Sequence, residues 1–242
     1  MSWKKLIEFP EQKVEKPSYN STIVYWKIEN GKVWHQWKKL MKADTESFEV
    51  EETNDFVARD KNHIYHGWTK LSKADRETFK KVGDSYWKDK NFAYIENETS
   101  ITPLKGLDSR SFNYLGNGFA FDKDFAYWYG RVIKSCKSPQ TLKIVRESDS
   151  IAMDTENVYY EGAVLKGADV KSWKFLQGGF SRDKKSVFFG SKNIPRVDID
   201  TWEHIHRTFS KDKHNVYRMN FIEKDKSPQD WDLKRVIKYY EK

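Results

Sequence analysis

Apolar positions in this chain come in short bursts of two or three residues, each bounded by polar and turn-forming residues, and the bursts recur at a steady interval. Seven apolar or aromatic markers set the period: Phe48, Phe79, Phe112, Leu142, Trp173, Trp202 and Trp231, separated by 29 to 33 residues. Self-similarity at such a period is the mark of a tandem array, one supersecondary unit copied end to end. Four residues before the markers stand Asp44, Asp75, Asp108, Ser138, Asp169, Asp198 and Ser227. In each, a side-chain oxygen can accept an unpaired backbone N–H of a first helical turn. The two serines are followed by Pro139 and Pro228, and proline suits the first helical position because its missing N–H would be unpaired there anyway. Three residues after the marker comes Val82, Leu115, Val145, Leu176 or Ile205, which would share a face of that turn. The pattern predicts a short capped helical turn in each copy, with both apolar residues as core anchors.

A polar landmark follows: Asp60-Lys61-Asn62, Asp89-Lys90-Asn91, Asp122-Lys123-Asp124, Asp154-Thr155-Glu156, Asp183-Lys184-Lys185 and Asp212-Lys213-His214, with Asn20 as the expected counterpart in the first copy. Asp or Asn at such a place closes a tight turn by accepting nearby backbone N–H groups. Five residues on stands Tyr25, Tyr65, Tyr94, Tyr127, Tyr159, Phe188 or Tyr217, preceded by Val24, Ile64, Ala93, Ala126, Val158, Val187 or Val216. Aromatic and β-branched residues fit a pleated, half-buried surface. Gly67, Gly130, Gly162 and Gly190 then mark a second turn, with Tyr129-Gly130 and Glu161-Gly162 as two-residue hairpin candidates. One unit therefore reads strand, turn, strand, turn, short strand, capped turn.

The expected fold is mainly β with short helices, a set of β-rich tandem repeats. A single unit cannot cover its own apolar face, so neighbours must stack into a continuous core. The division expected is a lead at residues 1–19, about seven repeats over 20–229 with an extra segment around Glu29–Trp37 in the first, and a helical cap over 230–242. Within that cap Trp231, Val236, Ile237 and Tyr240 are available to cover the last face. Seven units can close into a propeller-like ring or remain an open twisted array. The helix-like tail and the amphipathic lead Trp3–Phe9 favour the open array, because open stacks need caps.

The run Asn157-Val158-Tyr159-Tyr160-Glu161-Gly162, followed by Leu165-Lys166-Gly167-Ala168-Asp169 and then Ser172-Trp173, is the clearest copy. Together with the recurring Asp-Lys-Asn, it resembles the bacterial DKNYY repeat family over nearly the whole chain from about Asn20. The turn departs from the pattern at Asn20-Ser21 and Asp154-Thr155, and the second aromatic is replaced at His66, Ile95 and Arg218. The resemblance implies a bacterial origin and brings no catalytic residues with it.

Composition sharpens this picture in two ways. Charged residues reach 33%, yet aromatic residues make up 16%, which argues against disorder, since disordered chains are poor in the aromatics that build cores. Net charge is +8, favouring acidic partners, although the charges are interspersed. Cys136 is the one cysteine, which excludes an intrachain disulfide and a cysteine-rich metal site. The opening residues lack the apolar run of a secretion signal, so a cytoplasmic protein without a membrane span is expected.

Chemistry is sparse. The close histidine pairs, His63/His66 and His204/His206, fall short of the three or four converging ligands a metal needs. The turn aspartates are almost all followed by lysine, unlike oxygen-rich calcium loops. Phosphate-loop, nucleophile-elbow and zinc-protease motifs are missing. No catalytic residue, metal or cofactor is expected, and the leading expectation is a non-catalytic protein-binding module, specifically an immunity protein that neutralises a toxin domain. Two alternatives are a nucleic-acid or anionic-surface binder and a ligand-binding or enzymatic array with a groove site. Aromatics that break the repeat pattern are the candidates for an exposed site: Trp34, Trp37, Trp68, Trp87 and Trp128. Of these, Trp34, Trp37 and Trp68, with Lys32, Lys38 and Lys39, are the expected meeting place for an acidic protein partner.

Overall fold

The structure, a computed structural model, describes residues 2–6 and 25–240. The expected turn at Asn20 and the end of the lead, Ile7–Phe9, lie outside the described residues. Two compact units are present, Met1–Tyr114 with Asp122–Asp124, and Leu115–Phe121 with Phe125–Lys242. The division falls within the strand Asn113–Gly116 of the fourth sheet.

Among the described residues the strands form seven separate antiparallel sheets, one per copy. The fifth is representative: Lys143–Ile144, Ile151–Met153, Val158–Tyr160 and Ala163–Val164 run in sequence order. Its last turn is the expected hairpin. Glu161 and Gly162 have φ of 50° and 75° between the paired residues Tyr160 and Ala163, the mirror-image turn whose twist matches that of the strands. In the second sheet the strand Trp3–Lys5 pairs with Glu49–Glu51 and adds a fifth strand.

Side chains alternate across each strand, and the alternation builds the stack. In the second unit Ala152 and Tyr159 pack back onto Phe119, Ala126, Ile133 and Leu142 of the preceding copy. Their neighbours Ile151 and Val158 pack forward onto Trp173 and Phe188. The small Ala opposite the large Tyr lets adjacent sheets approach closely. The same arrangement in the first unit joins Ala58 and Tyr65 to Trp26, Val33 and Phe48, and joins Val57 and Ile64 to Phe79, Trp87 and Tyr94. The helix Leu233–Tyr240 takes the place of a further sheet, with Val236 buried against Phe209 and Val216. Trp231 is half-buried there, while Ile237 remains exposed.

Two expectations are corrected. The capped turn is a single hydrogen-bonded turn. In the second unit it lengthens into a 3-10 helix only at Pro139–Thr141 among the described residues, and the backbone becomes extended straight after the first six markers, while Trp231 leads into the helix Leu233–Tyr240. The apolar residue three positions on therefore lies on or just past a strand, as with Val82 in Lys80–Gly83 and Ile205 in Glu203–His206. The cap holds at the aspartates, as where Asp75 Oδ1 accepts the N–H and the hydroxyl of Thr78 at 3.1 and 2.6 Å, whereas the expected cap Ser138 makes no side-chain capping bond. The segment Glu29–Trp37, expected as an insertion, belongs to the first sheet itself. Trp26–Glu29 and Lys32–His35 are joined by the tight turn Asn30-Gly31, and Val33-Trp34 stands where Val158-Tyr159 stands in the fifth.

The turn aspartates explain the repeat. Asp60 Oδ1 accepts N–H groups from Asn62 and His63, both at 2.8 Å. Its Oδ2 accepts the Tyr65 hydroxyl at 2.8 Å and the Asp44 N–H at 3.0 Å. The following Lys61 reaches Asp44 at 2.8 Å, as Lys90 reaches Asp75, Lys184 reaches Asp169 and Lys213 reaches Asp198. The Asp-Lys dipeptide thus ties its own turn, its strand and the preceding capped turn into one network.

Candidate functional site

In the first and second sheets the turn before the last strand places side chains at a hairpin tip. Trp37 follows Gln36, whose φ is 53°, and Trp68 follows Gly67, whose φ is 55°. Trp37 is 78% and Trp68 44% exposed, with their rings 6.4 Å apart, and Met41, in the next turn after the strand Lys38–Lys39, is 74% exposed. Lys38 holds its ammonium 4.9 Å from the Trp68 ring. Contiguous exposed apolar area of this kind marks an interaction site, because water is poorly accommodated there.

His35 lies fully buried beneath the patch, its ring 5.9 Å from Trp68, 5.2 Å from Phe56 and 4.5 Å from Trp26. Burial, reinforced by the nearby His66, holds its pKa down to about 4. A Cβ on Gly67 would make only ordinary contact with the His35 ring at 3.5 Å, so the glycine serves the turn, whose φ of 55° it adopts without steric cost.

In the third copy this hairpin is longer, with Asn97–Ser100 between the paired residues Glu96 and Ile101. A cleft of about 880 Å³ results, lined by Asn54, Phe56, His66, Asp84 and Glu96 among others. The Glu96 carboxylate accepts bonds from Asn54 Nδ2 at 2.7 Å and Trp87 Nε1 at 2.8 Å, and lies 3.4 Å from His66 Nε2. Burial alone would raise its pKa, but those donors, His66 first, outweigh it and keep the carboxylate ionised below its usual range.

The six expected site residues divide between two faces. Trp37, Lys38 and Trp68 come together. Trp34 and Lys39 are cross-strand partners on the other face of the first sheet. Trp34 is half-buried with the Lys27 ammonium 5.7 Å from its ring, and Lys32 lies exposed opposite Glu29. Of the other irregular tryptophans, Trp87 is wholly buried. Trp128 is half-buried, and a Cβ on Gly162 would stand 2.7 Å from its Cβ. Sequence reading missed Met41, His35 and the Glu96 cleft. The four residues Asn97–Ser100, where other copies turn in two, were the available signal for that cleft.

Among the described residues no helix is long and apolar enough to cross a membrane. The DKNYY family model matches residues 4–98, 58–192 and 86–220, overlapping segments that run through most of the chain. No curated protein and no solved structure matches it.

Proposed function

The chain belongs to the DKNYY family, and from that premise we propose that it is a non-catalytic protein-binding module. The observation that carries the reading is the exposed pair Trp37 and Trp68 with Lys38 stacked beside it. Tryptophan at the centre of a surface patch is the residue most often responsible for binding energy, and stacked repeats hold such a patch on a rigid frame. The turn aspartates, which would be the natural source of acid–base chemistry, are occupied by structural hydrogen bonds.

The specific role we propose is that of a cytoplasmic bacterial immunity protein, which binds an acidic surface of a toxin domain and neutralises it. Net charge of +8 and the lysines around the patch support an acidic partner. Coexpression with the polypeptide encoded immediately upstream tests the role. Co-purification and rescue of cell growth are expected. Growth arrest unrelieved by this chain, with no complex recovered, would sink it.

A further inference from the structure

In the third sheet Lys80 and Lys88 stand directly opposite one another across an antiparallel ladder. Like charges so placed repel on the shared face. Other copies reveal what balances the same position. Glu49 faces Arg59 in the second sheet at 2.6 Å, and Glu203 faces Lys211 in the seventh at 3.3 Å. The sixth sheet has Lys174 opposite Arg182, a second pair without its carboxylate.

At the third sheet the pair borders a cleft of about 850 Å³ inside the first unit, walled also by Trp3, Arg59, Lys90 and Arg110. Several charges on this wall are already satisfied. Arg59 is held by Glu49, Lys90 by Asp75 at 2.7 Å, and Glu77 by Arg76 at 2.7 Å. Among the described residues Lys80, Lys88 and Arg110 form no ion pair; the nearest carboxylate acting on Lys88 and Arg110 is Asp108, which is paired with Lys123 at 3.7 Å. Burial of Lys88, together with the facing Lys80, outweighs the attraction of Asp108 and holds its ammonium below the ordinary lysine value.

We propose that this cleft receives an acidic side chain of a protein partner, whose carboxylate supplies the counter-charge that Glu49 and Glu203 supply within their own sheets. The proposal rests on the protein-binding reading and names the chemistry its partner presents. A discrete carboxylate fits better than a nucleic-acid backbone. A single carboxylate is the group that the second and seventh sheets place opposite the corresponding cation, whereas a nucleic-acid backbone brings a phosphate at every nucleotide.

The test uses the full chain, a labelled oligoglutamate peptide, and a single-stranded oligonucleotide of equal charge, read by fluorescence anisotropy. Lys80→Glu should weaken peptide binding by about tenfold or more. Lys143→Glu, the same charge change opposite Met153 in the fifth sheet, should leave it unchanged. Lys80→Glu also recreates the pairing of the second and seventh sheets, so its melting temperature should rise while affinity falls. A merely structural lysine would lose both together. Undiminished peptide binding by Lys80→Glu, a lowered melting temperature, or tighter binding of the oligonucleotide than of the peptide would each overturn the proposal. Loss of the cleft with the whole partner still bound through Trp37 would leave the protein-binding reading standing. Peptide binding with no protein partner at all would remove that reading instead.

Discussion

Tyr159 donates its hydroxyl to Asp154 Oδ2 at 2.6 Å, from a strand that begins just after the turn Asp154 closes. The bond recurs from Tyr65 to Asp60, Tyr94 to Asp89 and Tyr217 to Asp212, at 2.8, 2.6 and 2.7 Å, which accounts for the fixed interval between the two residue types. Phe188 lacks the hydroxyl, and Asp183 is left with the N–H groups of Lys185, Ser186 and Asp169. Removing a hydrogen bond to a buried charge costs about 1.5–3 kcal/mol. Tyr159→Phe should lower the unfolding free energy, and with it the denaturant midpoint, accordingly, and Phe188→Tyr should raise that free energy by about 1 kcal/mol. A neutral Tyr159→Phe would mean that the network does not contribute to stability.

The same bonds set the limits of pH stability. Burial would raise the Asp154 pKa, but the Tyr159 hydroxyl and the N–H groups of Glu156 and Asn157 outweigh it and bring it below the usual value. Asp60 and Asp212 behave alike. A folded pKa below the unfolded one contributes stability that is present above the unfolded value and lost as pH falls through the folded one. Tyr159 is shifted up, by burial first and then by Asp154, so its contribution is complete below about pH 10 and lost above it. Melting temperature against pH should therefore fall below about pH 4 and again above about pH 10. The alkaline limb should flatten as the paired tyrosines are replaced one by one with Phe.

His35 adds a separate step. Its folded pKa is lowered from 6.5 to about 4, so its contribution is complete above pH 6.5 and disappears as pH falls toward 4. The ring sits among Trp26, Phe56 and Trp68, and a Phe can occupy the same aromatic space. His35→Phe should match the natural chain near pH 8 and melt higher than it at pH 4.5. Equal losses in both proteins between pH 6.5 and 4.5 would show that another group governs that range.

The repeat was legible because each of its parts is a local requirement. The caps, the turn aspartates and the markers Phe48, Phe79, Phe112, Leu142, Trp173 and Trp202 can be read from nearest neighbours, and those markers are all buried. The first copy was misread for a local reason too. Tyr25 matches the strand signature, whereas the true turn, Asn30-Gly31, closes in two residues without the Asp-Lys device. The site was less legible. The contact between Trp37 and Trp68 links hairpins of adjacent sheets, and the opposition of Lys80 and Lys88 depends on a register that shifts between Tyr86 and Trp87. Neither follows from spacing along the chain.

The hairpin glycines offer a graded test of stacking. Gly162 has a φ of +75°, and an added Cβ would lie 2.7 Å from the Trp128 Cβ. Gly31 has a φ of +64°, and an added Cβ there would meet nothing within 4 Å. Left-handed backbone alone costs an L-residue about 1–2 kcal/mol, and overpacking adds about 1–3 kcal/mol. Gly31→Ala should therefore show the first cost alone and Gly162→Ala both. Equal losses would mean that the second-unit sheets can move apart without penalty.

Tryptophans in this chain divide by burial into two functional kinds, and alanine substitution should separate them. Trp173 is 9% exposed and packs with Ile151, Val158 and Phe188, so Trp173→Ala should cost roughly 3–5 kcal/mol of stability. Trp37 is 78% exposed, and Trp37→Ala should change stability by less than about 0.5 kcal/mol, as substitutions away from the core do. If Trp37 anchors a protein partner, however, the same change should weaken binding by about 2 kcal/mol or more, or roughly thirtyfold. Trp68→Ala should do likewise with a small loss of stability, because its ring also covers His35. Trp34 lies on the other face of the first sheet, half-buried. Its replacement should lower the melting temperature and leave affinity nearly unchanged. Calorimetry of each variant with the copurified partner reads both quantities on one sample. Full affinity in Trp37→Ala, or binding that depends on Trp34 and not on Trp37, would move the interface off the hairpin tips.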